Sequence, residues 1–171
     1  MRGRGRSYVA ALLLGSAACA HAKCDKVEIE VLPFDLVEDY SRTYKDLGKM
    51  GIGREVGLVR TTSIVEVLGC NATVGYRAPA LYIASELVAD PCAFEHVKAH
   101  ELEHVAIYLA ALSTLRARIE VRVAEGQDLF EAAKAEVLGV RAQHAAFDTN
   151  AEQKTNATAC YGMIIKLAMH L

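Results

Sequence analysis

The sequence lacks the features expected of a nucleic-acid-binding, membrane-spanning or disordered protein. Its 19 lysines and arginines face 21 aspartates and glutamates without forming a basic patch, which argues against a nucleic-acid partner. No segment after the first 22 residues resembles a membrane span, and neither internal repeats nor low-complexity tracts occur. A hydrophobic content of 53% with 23% charged residues is typical of a globular protein, and 171 residues suit a single domain.

The N-terminal stretch has the layout of a secretory signal peptide. A basic head with three arginines precedes a short apolar run, and small residues offer cleavage after Ala20 or Ala22. We therefore predict a signal peptide at 1–22, a single domain at 23–171, and a secreted or periplasmic location. Acylation of Cys19, as in a lipoprotein, is the alternative. Cleavage would remove three basic residues and no acidic ones, which leaves a net charge of −5.

The cysteine content agrees with an oxidising compartment. Cleavage would leave an even number of cysteines, which are Cys24, Cys70, Cys92 and Cys160. Four cysteines allow three pairings, and the sequence alone does not choose among them. We favour Cys70–Cys92 with Cys24–Cys160, because the first pair would connect a strand to the start of the main helix.

The front half of the domain is rich in strand patterns. Residues 26–31 alternate polar and apolar side chains, and residues 56–84 contain several β-branched runs. Gly69, Gly75 and Pro79 divide the second region and predict turns. We expect three or four strands there, mostly antiparallel because the connections are too short for crossover helices.

The second half of the domain is predicted to be helical. Asp90 is a good N-cap, Pro91 a good first helical residue, and neither glycine nor further proline occurs before Gly126. Asp128 followed by Glu131 then predicts the start of another helix. The fold class expected is α+β, with a small, mostly antiparallel sheet followed by a long helix and an antiparallel helical hairpin.

The long helix carries the sequence His-Glu-Leu-Glu-His at positions 100–104. Residues four apart lie on one face of a helix, so His100 and His104 can direct their imidazoles to one Zn²⁺ ion. Glu101 would lie beside that ion, where a carboxylate can take a proton from a metal-activated water. We interpret His96, one turn earlier, as a supporting or surface group. The alternative is a solvated helix face with two ordinary histidines.

A third protein ligand is expected from the other arm of the hairpin. If the chain reverses at Gly126, residues equidistant from it lie side by side on antiparallel helices. His104 is 22 residues before Gly126 and Asp148 is 22 residues after it. Asp148 is therefore our first candidate, followed by Glu152 and then His144, which is chemically the better zinc ligand.

The motif resembles that of the zincin-type metallopeptidases. The wider layout is similar to uncharacterised secreted bacterial proteins with a β-rich front half, the same helical motif and a downstream aromatic-aspartate pair, here Phe147-Asp148. The resemblance implies a zinc site, Glu101 as base, and an edge strand beside the cleft at residues 81–84 that holds the backbone of a peptide.

These observations predict a secreted zinc-dependent metallopeptidase. It would hydrolyse peptide bonds of a peptide or protein substrate through a metal-activated water, with Glu101 as general base and His100, His104 and Asp148 as metal ligands. The alternatives are a non-catalytic periplasmic metal-binding or scaffold module, and a secreted structural domain without metal.

Overall fold

A computed structural model of the protein describes residues 24, 26–51, 55–149, 158–162, 164 and 166. The predicted signal peptide lies outside these residues. The described strands are β1 (Glu28–Val31), β2 (Val37–Asp39), β3 (Gly57–Leu68) and β4 (Asn71–Ile83). The main helices are α1 (Tyr44–Met50), α2 (Pro91–Ala124) and α3 (Leu129–Phe147), with a 3₁₀ turn at Ser85–Leu87. The described residues from 158 onward are also helical.

The prediction of a mostly antiparallel sheet is wrong. β4 pairs in parallel with β1 near its start and with β2 near its end, while β3 pairs with it antiparallel. The prediction considered only strands adjacent in sequence, whose short connections do force antiparallel pairing. β1 and β2 reach β4 after the intervening α1 and β3, so connection length does not restrict their direction.

The strand-rich region contains two long strands where three or four were expected. β3 and β4 form a hairpin, and its two-residue turn uses Gly69 at φ +60°, a conformation that strains other residues. Gly75 and Pro79 do not form turns, because both lie within β4. Proline is tolerated there beside an irregularity in the β3–β4 register, at a point that pairs with neither β1 nor β2.

The disulfides are Cys24–Cys70 and Cys92–Cys160, so the pairing favoured from the sequence is wrong. The amide of Glu28 donates to the carbonyl of Cys70, and this parallel pairing of β1 with β4 carries Cys24 to its partner. The second bond connects the first turn of α2 to the C-terminal helical residues. Two disulfides indicate an oxidising extracellular environment.

The two long helices begin at the caps expected from the sequence. The Asp90 side chain accepts from the amide of Ala93, and Pro91 opens α2, which continues for 34 residues. The Asp128 side chain caps α3 through the amides of Phe130 and Glu131. A long helix and a helical hairpin are therefore present, although the sheet beneath them differs from the expectation.

Two hydrophobic clusters lie along α2. The first packs the sheet against α2 and α3, and its fully buried members include Val74, Ile119 and Val137. The second gathers α1, the end of β4 and the first half of α2, and also includes Ile164. Because α2 contributes to both clusters, packing holds it along much of its length, and the histidine motif lies in its first half. Among the described residues, no helix combines the length and apolar character needed to cross a bilayer.

Candidate metal centre

The two motif histidines share one face of α2. Their ring centroids lie 4.9 Å apart, with the ring planes at 86° to each other. Both side chains are mostly buried, with 18% of His100 and 11% of His104 exposed. Burial restricts their rotamers, so that both imidazoles point towards one region between α2 and the end of α3.

Asp148 meets both histidines at the end of α3. Its Oδ1 lies 3.1 Å from Nε2 of His104 and 3.5 Å from Nε2 of His100. Asp148 is the C-cap of α3, and its backbone amide donates to the carbonyl of His144. The cap therefore uses the backbone of Asp148 and leaves its side chain directed at the histidines. This position agrees with the sequence-based expectation, in which His104 and Asp148 are equally far from Gly126.

The three side chains fit the coordination that zinc prefers. One ligand atom from each of His100, His104 and Asp148 lies within 4.8 Å of the other two. Nitrogen and oxygen ligands about 2.0–2.1 Å from a tetrahedral Zn²⁺ are about 3.3 Å apart, close to the two distances measured to Asp148. Two imidazoles and one carboxylate also match the three-ligand sets of catalytic zinc sites, which leave the fourth position open. Because the Asp148 side chain is 39% exposed, the solvent reaches this side of the group.

His144 contacts the site from behind His104. Its Nδ1 lies 2.8 Å from Nδ1 of His104, and its ring lies 4.3 Å from that of Tyr108. Burial, and then the neighbouring His104, lower the pKa of His144 to about 4. His144 is therefore neutral at pH 7 and one of its ring nitrogens can accept a hydrogen bond. The structure places it against a candidate ligand, away from the meeting point of the three ligand atoms.

Phe147 forms an apolar wall beside the histidines. Its ring stacks on His100 at 5.1 Å with an interplanar angle of 25°, and meets His104 edge-on at 5.1 Å. An aromatic surface excludes water from one side of the imidazoles and so strengthens electrostatic interactions within the group.

The side chain of Glu101 reaches towards the sheet. It is only 5% exposed, unusually low for a carboxylate. One carboxylate oxygen lies against the backbone of Gly57, the first residue of β3, where a Cβ would come within 2.6 Å of it. Glu101 is not a member of the ligand group, and it is adjacent in sequence to His100.

Two further sequence-based predictions about the site concern Glu152 and the strand beside the cleft. Glu152, the second candidate for the third ligand, lies outside the described residues. The prediction of an edge strand at residues 81–84 is wrong, because this part of β4 pairs with β2 on one side and β3 on the other. The strand next to the motif is instead β3, through Gly57.

Sequence reasoning missed the place of two residues near the site. It treats His144 as a possible ligand or as a packed histidine of the hairpin opposite Tyr108, and does not infer its contact with His104. Gly57 carries no sequence signal of its own, since glycines also occur at 51, 53 and 69. No family model matches the chain, and comparison with curated proteins and with solved structures also finds no match.

Proposed function

We propose that the protein is a secreted zinc-dependent metallopeptidase. The observation that carries the proposal is the convergence of ligand atoms of His100, His104 and Asp148 within 4.8 Å, with a buried glutamate next to His100 in the sequence of α2. The similarity of the motif to zincin-type metallopeptidases supports it as well. The disulfides agree with export, and we propose that residues 1–22 direct the chain to the periplasm or the exterior.

The donor set supports zinc over harder cations. Mg²⁺ and Ca²⁺ prefer six or more oxygen ligands, whereas this group offers two nitrogens and one carboxylate. Bound zinc would supply Lewis-acid chemistry, polarising a peptide carbonyl and lowering the pKa of a water molecule. His100, His104 and Asp148 would hold it.

The proposal gives the neighbouring residues the following roles. Glu101 accepts a proton from the attacking water and returns it to the amine of the leaving peptide. Burial strengthens the electrostatic effect of its carboxylate. Phe147 excludes water from one side of His100, and the exposed side of Asp148 is where a substrate enters. Peptides or unfolded protein segments are the substrates we propose.

The test compares wild-type protein with Glu101→Gln and with Glu103→Gln, which removes an exposed carboxylate of the same helix. Zinc content after dialysis and cleavage of a fluorogenic peptide library are measured for each. We expect Glu101→Gln to retain zinc while kcat falls about 10²–10⁴-fold, since it removes a general base. Glu103→Gln should behave as wild-type.

Each other outcome assigns a different function. Full hydrolysis by Glu101→Gln would show that the proposed mechanism is wrong. Stoichiometric zinc without cleavage of any peptide would replace the peptidase with the non-catalytic metal-binding module. If the wild-type protein loses its zinc on dialysis, the remaining hypothesis is a secreted structural domain without metal.

A further inference from the structure

The first residue of β3 lies where Glu101 leaves no space for a side chain. Gly57 is buried and pairs with Ile83 of β4. A Cβ on Gly57 would lie 2.6 Å from Oε1 of Glu101, 2.8 Å from its Cγ, and 2.6 Å from Cγ1 of Val97. Ordinary van der Waals contact begins at 3.4 Å, so none of these approaches is possible without movement.

Steric space explains glycine at this position. The φ angle of Gly57 lies outside the left-handed region, so its backbone conformation is open to any residue. Glycine inside a strand weakens the strand and often marks a place where another group approaches the backbone closely. Here the approaching group is a carboxylate that is 5% exposed.

Movement to admit a side chain would fall on Glu101. The backbone of Gly57 is paired with β4, and β4 is itself paired on its other edge. Val97 is 5% exposed and belongs to the second hydrophobic cluster, where close packing resists displacement. The Glu101 side chain has more rotatable bonds than Val97 and yields first.

We propose that Gly57 is a positioning residue for Glu101, which gives the carboxylate its place against β3 by leaving that place free of side-chain atoms. The inference rests on the proposed function. A side chain at position 57 moves the carboxylate by about 0.4–0.8 Å, the difference between the contact of 2.6 Å and the range of 3.0–3.4 Å in which real contacts begin. Misplacing a reacting group by about 1 Å costs about 10²-fold in rate.

The activity test uses Gly57→Ala, with Gly139→Ala as the matched control. Gly139 lies in α3, and a Cβ there meets nothing within 4 Å. We expect Gly57→Ala to lower kcat about 10²-fold while KM and zinc affinity stay within about twofold of wild-type. In the Glu101→Gln protein, the same substitution should cause no further loss. A kcat within about threefold of wild-type, or an equal loss in both proteins, overturns the proposal.

A second measurement needs no catalytic activity. It is made in the Val97→Ala protein, where Glu101 supplies the other two of the three atoms nearest to a Cβ at position 57. There Gly57→Ala should lower Tm by about 5 °C, as expected for overpacking. When Glu101→Ala is also present, this decrease should disappear.

The two measurements separate the two hypotheses. If the wild-type protein cleaves no peptide, the proposed function fails, and the Tm comparison alone decides whether Gly57 positions Glu101. Equal decreases in Tm with and without the Glu101 side chain overturn the inference. If Gly57→Ala does not fold by itself, the kinetic comparison is made in the Val97→Ala protein.

Discussion

The Nδ1 atoms of His104 and His144 lie 2.8 Å apart, so one of the two rings donates a hydrogen bond to the other. If His104 donates, its proton is on Nδ1, and its Nε2 carries the lone pair that a metal requires. His144 then acts as acceptor, as its low pKa allows. Ligand histidines in metalloproteins commonly donate their second N–H in this way, which fixes the tautomer and the orientation of the ring.

Removal of this acceptor should weaken metal binding. We expect His144→Leu to raise the dissociation constant for zinc about 10–100-fold, because His104 then loses the partner that fixes its tautomer. His144→Asn, whose side-chain oxygen can accept from His104, should lose less. Zinc titrations against a competing chelator measure both values, and circular dichroism of the zinc-free proteins controls for folding. Equal affinity of His144→Leu and wild-type would contradict the assignment.

Asp148 should be needed for zinc binding and not for folding. Zinc binds four-ligand peptides with roughly 10–16 kcal/mol, so loss of one ligand of this kind costs about a hundredfold in affinity. We expect that loss for Asp148→Asn, with an unchanged helix content, since only the backbone of Asp148 takes part in capping α3. Glu131→Gln, which removes another carboxylate of α3, is the control. A zinc dissociation constant of Asp148→Asn within about threefold of wild-type, titrated against a competing chelator, would exclude Asp148 as a ligand.

Zinc should stabilise the folded protein, because the three ligands come together only in the native fold. At a free concentration 100 times the dissociation constant, the gain is about 2.7 kcal/mol, or about 5–10 °C in Tm for a domain of this size. Thermal unfolding with zinc, with magnesium and with a chelator measures the effect. Magnesium should leave Tm unchanged. The doubly substituted protein His100→Ala/His104→Ala should show no zinc-dependent increase, and an increase of wild-type size would place the metal elsewhere.

The ion pair between β2 and α2 should contribute a small, pH-dependent stability. Nζ of Lys98 lies 2.8 Å from Oε2 of Glu38, and this bond together with that from Tyr40 lowers the pKa of Glu38 below its ordinary value of 4.5. A lowered folded-state pKa stabilises the protein above the unfolded-state pKa, and this contribution is lost as pH falls through the lowered value.

Glu38→Gln should therefore lower the free energy of unfolding at pH 7 by less than about 1 kcal/mol, because the pair is partly exposed and screened by solvent. The difference from wild-type should be smaller at an acidic pH below 4.5, where the Glu38 carboxylate of the wild-type protein begins to protonate. Urea unfolding at both pH values measures it, and Glu95→Gln, at an exposed position of α2, controls for the change in net charge. A difference that grows on acidification would contradict a lowered pKa for Glu38.

The local features of the fold were open to prediction from the sequence. The caps at Asp90 and Asp128, the turn at Gly69 and the uninterrupted helix between the two caps each depend on a few neighbouring residues. The position of Asp148 beside His104 was also predictable. In an antiparallel helical hairpin, two residues equally far in sequence from the turn lie at the same height along the helices.

Pairings between distant segments were not open to prediction in the same way. The parallel contacts of β1 and β2 with β4 depend on how the sheet closes over its core, and the connectivity of Cys24 and Cys70 depends on the first of them. Short-range patterns describe neither, because a strand carries the same alternation whichever partner it meets.

The sequence by itself determined the motif, the helix that presents its two imidazoles on one face, and the carboxylate that a simple hairpin brings to them. Only the tertiary structure decided which groups surround them: His144 behind His104, Phe147 on His100, and the bare backbone of Gly57 against Glu101. The physical reason is the sequence distance over which each interaction acts. Helical periodicity acts over a few residues, whereas packing joins positions as far apart in the chain as 57 and 101.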